Sequence, residues 1–165
     1  LVGSEMCIRD REKADRAIGI MLDSLAPGVR VVITADHGML NTSPEVTVDL
    51  AKTVVADFIA NASGEGRVLH VHAKPGAAAA LQVSLQTLLP EAKVLNRGET
   101  EALFATYNDT PVRRPELLGD VVVFAAGTGQ TLDSRFFKEQ VFQMKGLHGG
   151  LSEVEMRVPI LHYCS

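Results

Sequence analysis

The chain has 165 residues, 46% of them hydrophobic, and a formal net charge of −4. That is enough for one domain with a real core, and too apolar for a disordered tail. The acidic balance argues against a nucleic-acid surface and against binding to an anionic membrane, and no apolar run approaches the length of a membrane span.

Residues 1–11, LVGSEMCIRDR, show no helical period and are read as a non-native, adaptor-like segment outside the fold. Cys7 and Cys164 are the only cysteines, stand near the two ends, and predict no disulfide framework. From Glu12 a helical period begins, with Ala14, Ala17, Ile18, Met21, Leu22 and Leu25 at three- and four-residue steps. Pro27 and Gly28 stop it.

The next stretch, Val31-Val32-Ile33-Thr34-Ala35-Asp36-His37-Gly38, carries the first chemistry. A short β-branched run predicts a buried parallel strand, and it ends abruptly in a polar pair. In open α/β sheets, ligands gather at the carboxyl ends of strands. A carboxylate beside an imidazole there can hold a divalent metal. Taken alone, the octamer leaves a second reading open, in which Asp36 caps a turn and His37 bonds to backbone.

Gly38 to Pro44 predicts a loop, with Met39 and Leu40 packed beneath the site. Asp49 to Ala62 predicts a helix with Leu50, Val54, Val55, Phe58 and Ile59 on one face. Arg67–Ala73 reads as a strand whose His70 and His72 share an exposed face. Helix Ala77–Leu89, strand Ala92–Leu95, a brief helix through Tyr107 and strand Val121–Ala126 follow. Arg113 and Arg114 form a solvated basic loop. The aromatic residues Phe136, Phe137 and Phe142 suggest packing rather than base stacking.

Near the other end stands His148-Gly149-Gly150-Leu151-Ser152-Glu153-Val154-Glu155-Met156-Arg157-Val158-Pro159-Ile160. The glycines allow close backbone approach, and Ser152-x-x-Glu155 has the spacing of a capping box. Arg157–Leu161 predicts a last strand, with Pro159 at an edge or bulge.

The pair ITADHG and HGGLSEVEMRVPI resembles the alkaline phosphatase superfamily, and within it the type I phosphodiesterase/nucleotide pyrophosphatase branch. Asp15 and Gly19 also match that family's Asp-x-x-x-Gly helix pattern. The resemblance implies an α/β fold: an alkaline-phosphatase-like three-layer sandwich with a mostly parallel sheet and an inserted α+β subdomain. It implies two divalent metal ions, zinc or alternatively manganese. Asp36 and His37 would bind one, and His148 the other. It implies a small phosphodiester or nucleotide substrate. The family's Thr or Ser nucleophile and its Asp-x-x-Gly-His metal segment lie upstream of these motifs and have no counterpart here, so no catalytic residue is assigned. Residues 12–165 are therefore expected to be the C-terminal part of a catalytic domain, with an insertion over about 49–144. Two other readings stand beside this one: another hydrolase or phosphomutase of the superfamily, and a non-enzymatic α/β binding module.

Overall fold

A computed structural model describes residues 5–108 and 114–165. Helix α1 spans Glu5–Asp23, beginning seven residues before the predicted Glu12 start. The early residues are good helix formers, and no Gly or Pro interrupts them before Gly19. Its C-terminal turn donates Ser24 N–H to the Ile20 and Met21 carbonyls before Pro27 ends the helix. The apolar side of α1 stays partly open, with Ile20 and Met21 exposed.

Strand β1 (Arg30–Thr34) pairs with the last strand, β10 (Ile160–Cys164), which runs antiparallel to it. The sequence predicted a buried parallel strand for Val31–Ala35. Instead β1 alternates between half-buried and exposed residues, and Val32 is 62% exposed. Its apolar character is that of a strand made to be covered, and nothing among the described residues covers both faces. The last strand also starts later than the predicted Arg157. Arg157 pairs with Glu153 one helical turn back, and Pro159 has no N–H to offer a ladder.

Strand β2 (Leu40–Asn41) pairs antiparallel with β9 (Gly146–Leu147), and β3 (Thr47–Asp49) pairs parallel with β8 (Gln130–Leu132). The predicted helix over Asp49–Ala62 does not form. Asp49 accepts from Ala51 N–H and Ser134 N–H, which fixes a 3-10 turn at Leu50–Lys52. A second 3-10 turn, Ala56–Phe58, leads into strand β4 (Ile59–Glu65). Thr53, Val54 and Val55 are β-branched and poor at holding an α-helix against such competition. Leu50, Val55 and Ile59 are buried as predicted, but from turns and a strand rather than from one helix face.

Strands β4, β5 (Val68–Ala73), β7 (Val121–Phe124) and β6 (Lys93–Asn96) form one antiparallel sheet in that order. Its two faces are sorted by the period of two. Leu69, Val71, Val94, Val121 and Val123 pack with Leu81 and Leu85 of helix α2 (Ala78–Leu88) to make the core. Val68, His70 and Phe124 line a cleft on the other side with Leu103 and Phe104 of helix α3 (Arg97–Asn108). Phe137 packs against the core, while Phe136 stays more exposed beneath the Arg135 guanidinium. Two short helices, α4 (Glu139–Phe142) and α5 (Glu153–Met156), flank β9. Among the described residues no helix is long and apolar enough to cross a membrane. Arg113 lies outside the described residues, and Arg114 is exposed.

Candidate functional site

Two short pairings bring the early and late motifs together. The antiparallel β2–β9 ladder places Leu40 opposite Leu147, so His37 and His148 arrive side by side from opposite directions. Thr42 reinforces it, donating its N–H to Lys145 O and its hydroxyl to Met144 O. One turn further on, Gly38 N–H donates to Glu155 O at 2.8 Å. A Cβ at Gly38 would stand 1.9 Å from Val154 O. The glycine of the Asp-His-Gly triplet is thus required for contact between the two motifs, not for a turn alone.

The result is a stack of two imidazoles. The His37 and His148 ring centroids are 3.5 Å apart and the planes differ by 16°. Asp36 is 88% exposed at its side chain, with Oδ1 at 3.7 Å from His37 Nε2. The same Oδ1 accepts from His37 N–H. His37 Nδ1 lies 2.7 Å from Gly38 O. A carbonyl can only accept, so Nδ1 carries the proton and Nε2 presents a lone pair. That is the tautomer a metal ligand needs, with its second nitrogen anchored. His148 Nε2 faces Glu65 Oε2 at 3.7 Å.

The structure therefore brings Asp36, His37 and His148 to one place and one face. Hard oxygen and imidazole nitrogen are a donor set that suits zinc. Among the described residues, no three His, Cys, Asp or Glu side chains close around a single ion. The three groups present are arranged as a pair and a single.

Behind the stack lies a buried ion pair that sequence reading missed. Arg67 and Glu155 are 1% and 2% exposed. Arg67 Nε donates to Oε1 at 2.9 Å and Nη2 to Oε2 at 2.8 Å, a bidentate fork. Its Nη1 donates to the Ala126 and Gly129 carbonyls. Gly150 N–H and the Ser152 hydroxyl complete the carboxylate's shell. The Ser152-x-x-Glu155 spacing was read as a capping box. Here Ser152 makes no side-chain cap to the helix backbone, because its hydroxyl is spent on the Glu155 carboxylate. Burial pushes that carboxyl up, but the Arg67, Ser152 and Gly150 donors outweigh it and hold the group below the usual carboxylate range. Gly150 admits no Cβ, which would sit 2.6 Å from Glu155 Oε2. The pair clasps the His148 loop to the start of β5.

Glu65 was missed as well, and His70 was placed differently. Glu65 sits between Gly64 and Gly66, glycines that read only as the end of the predicted helix. His70 was assigned to an exposed strand face. It is half-buried, and its Nδ1 accepts from Gly119 N–H at 3.2 Å. Its burial, and then the charge of His72, push its pKa below the ordinary imidazole value. His70 lines a cleft of about 360 Å³ that also includes Asp36, His37, His148 and Glu155.

Comparisons with known proteins bear on the fold and the family. Among solved structures, murine ectonucleotide pyrophosphatase/phosphodiesterase 5 matches with a TM-score of 0.70 at 18% identity, covering 98% of this chain and 40% of that one. An inactive form of the same murine protein, in complex with AMP, matches with a TM-score of 0.75 at 17% identity, over 98% and 42% of the two chains. Phosphonoacetate hydrolase from Sinorhizobium meliloti, in complex with phosphonoformate, matches with a TM-score of 0.66 at 19% identity, over 97% and 41%. These likenesses establish a shared alkaline-phosphatase-like α/β fold, of which this chain spans about two fifths. No curated protein matches the chain. The family model for type I phosphodiesterase/nucleotide pyrophosphatase matches residues 4–150, nearly the whole chain and both motif cores. The chain belongs to the type I phosphodiesterase/nucleotide pyrophosphatase family, a family of phosphoric ester hydrolases.

Proposed function

We propose that this chain carries the C-terminal half of a two-metal phosphodiester or pyrophosphate hydrolase site. Asp36 and His37 would hold one divalent ion, and His148 its neighbour. The observation that carries this reading is the His37–His148 stack, 3.5 Å between centroids and set beside Asp36. Paired catalytic metals lie about 3.5–4 Å apart, which is the spacing of two facing imidazoles. Zinc suits the donors best, with manganese as the alternative. When bound, such a pair supplies Lewis-acid stabilisation of a phosphoryl group. The chain's own residues then have distinct tasks. Asp36 offsets positive charge, Gly38 O orients the His37 ring, and the Arg67–Glu155 clasp sets the His148 loop.

A catalytic zinc normally has three protein ligands and an open position. Two ligands on one ion and one on the other fall short of that. We therefore read residues 12–165 as part of a larger catalytic domain, with residues of about 49–144 as an insertion and a Thr or Ser nucleophile upstream. The exposed apolar face of α1 and β1 supports this, as does the span of about two fifths of the similar chains. The substrate would be a small phosphodiester or nucleotide.

The test is turnover of a p-nitrophenyl phosphodiester with added zinc or manganese. The chain alone should be inactive, and the protein extended upstream should turn over in a metal-dependent way that His148→Ala abolishes. Metal-dependent turnover by the chain alone, lost in His148→Ala, would place a nucleophile within these residues and overturn the assignment.

A further inference from the structure

Two carboxylates stand at equal reach from the two stacked rings. Asp36 Oδ1 is 3.7 Å from His37 Nε2, and Glu65 Oε2 is 3.7 Å from His148 Nε2. Both separations exceed the usual reach of a hydrogen bond, about 2.7–3.2 Å. Both suit one ion shared between the two atoms. Zinc binds imidazole nitrogen at about 2.0–2.1 Å and carboxylate oxygen at about 2.0–2.2 Å, so two of its ligands stand up to about 4.3 Å apart. The Asp36 pair comes from consecutive residues. The Glu65 pair joins distant positions and is made by the fold.

Glu65 is held there by its neighbours. It stands at the tip of the β4–β5 hairpin, opposite Val68. Next to it, the Gly66 carbonyl accepts from Thr131 N–H at 2.8 Å. One residue further, Arg67 is locked in the buried clasp with Glu155. Facing the hairpin, Gly149 lies so close that a Cβ would meet Val68 Cγ1 at 2.8 Å and Glu65 Oε2 at 3.9 Å. A side chain at position 149 would push the His148 loop off the hairpin. The Glu65 carboxylate accepts no hydrogen bond among the described residues, and its side chain is 46% exposed, open to a ligand. The hairpin that fixes the His148 loop thus also brings it a carboxylate.

We propose that Glu65 is a metal ligand, paired with His148 on one ion as Asp36 is paired with His37 on the other. The proposal rests on the two-metal reading and adds to it: this chain gives each ion one imidazole and one carboxylate. His148 then carries its ring proton on Nδ1 and turns the Nε2 lone pair toward Glu65. Each carboxylate offsets part of the positive charge beside it, which eases the repulsion between two dications held close together.

Zinc titration of the full chain, followed by NMR of the histidine ring nitrogens, tests this without any turnover. In the wild type, zinc should move the Nε2 resonances of both His37 and His148. Glu65→Gln should raise the zinc concentration needed at His148 by about 10–100-fold and leave that at His37 within about twofold. Asp36→Asn should do the reverse. The readout is a ratio between two rings in one molecule, so a general loss of folding does not mimic it. A change in bare charge does not mimic it either, since rings 3.5 Å apart feel it alike. A His148 midpoint unmoved in Glu65→Gln, with Asp36→Asn still acting on His37, would overturn the Glu65 assignment and leave the two-metal reading standing. Rings that titrate as one, with each variant shifting both alike, would mean a single shared ion and sink the two-metal reading together with the role of Glu65. Rings that zinc does not move at all would overturn both.

Discussion

The molecule is built from two regions of unlike solidity. The sheet β4-β5-β7-β6 with α2 has a closed core in which Leu69, Val71, Leu81, Leu85 and Val121 are wholly buried. The layer of α1, β1 and β10 has apolar residues in quantity but no such core, and Ile160 is 74% exposed. The proposed metal ligands belong to neither region's interior. Asp36 and His37 follow from the open layer, while His148 is held against the packed sheet through Arg67–Glu155. A side chain's apolarity thus says that it is meant to be covered, not by what. Among the described residues, the packed region finds its cover and the open layer does not.

The sharpest way to break this arrangement is to remove the clasp. Glu155→Ala leaves Arg67 buried without its carboxylate, and losing one partner of a buried pair costs about 3–5 kcal/mol. Urea unfolding should show that loss, and the His37–His148 stack should open with it. A cost below about 1 kcal/mol would put the pair in the class of surface ion pairs and remove it as the link between the regions.

The contrast in packing can be measured directly. Leu85→Ala opens the closed core and should cost about 2–5 kcal/mol. Val32→Ala, in the open layer, should change stability by less than about 0.5 kcal/mol. Similar costs at the two positions would mean that β1 is covered in solution.

A smaller effect follows from pH. The Glu155 carboxyl is held below its ordinary range in the folded chain, chiefly through donors that outweigh its burial. The unfolded chain therefore binds this proton at higher pH than the folded one. The stabilisation is fully present above the ordinary carboxylate range and is lost as pH falls through the depressed folded value. Glu155→Gln should flatten that acid limb of a stability–pH curve, and an unchanged limb would contradict the assignment.

These regions were not equally legible in the sequence. The meeting of Asp36-His37-Gly38 with His148-Gly149-Gly150 was, because both motifs put polar groups and glycines in consecutive residues and the structure stacks His37 on His148. Strands β5, β6 and β7 and helix α2 were also legible within a residue or two, since their periods match their burial. The turn-and-strand path over Asp49–Glu65 was not. Its apolar spacing fits a helix, but the Asp49 carboxylate, held by distant Ser134, and the hairpin of β4 with β5 decide it. The Arg67–Glu155 clasp joins positions 88 apart, and nothing local announces it. Ser152-x-x-Glu155 was seen as a spacing, yet the use of that spacing is tertiary. The antiparallel direction of β10 beside β1 is likewise a property of the return path, which no strand pattern encodes.

The most direct test of the central claim is the anomalous scattering of zinc in crystals of the zinc-loaded protein extended upstream. The account expects two ions about 3.5–4 Å apart, one on Asp36 and His37 and the other on His148. A single ion that takes His37 and His148 together, or no ion on either imidazole, would contradict it.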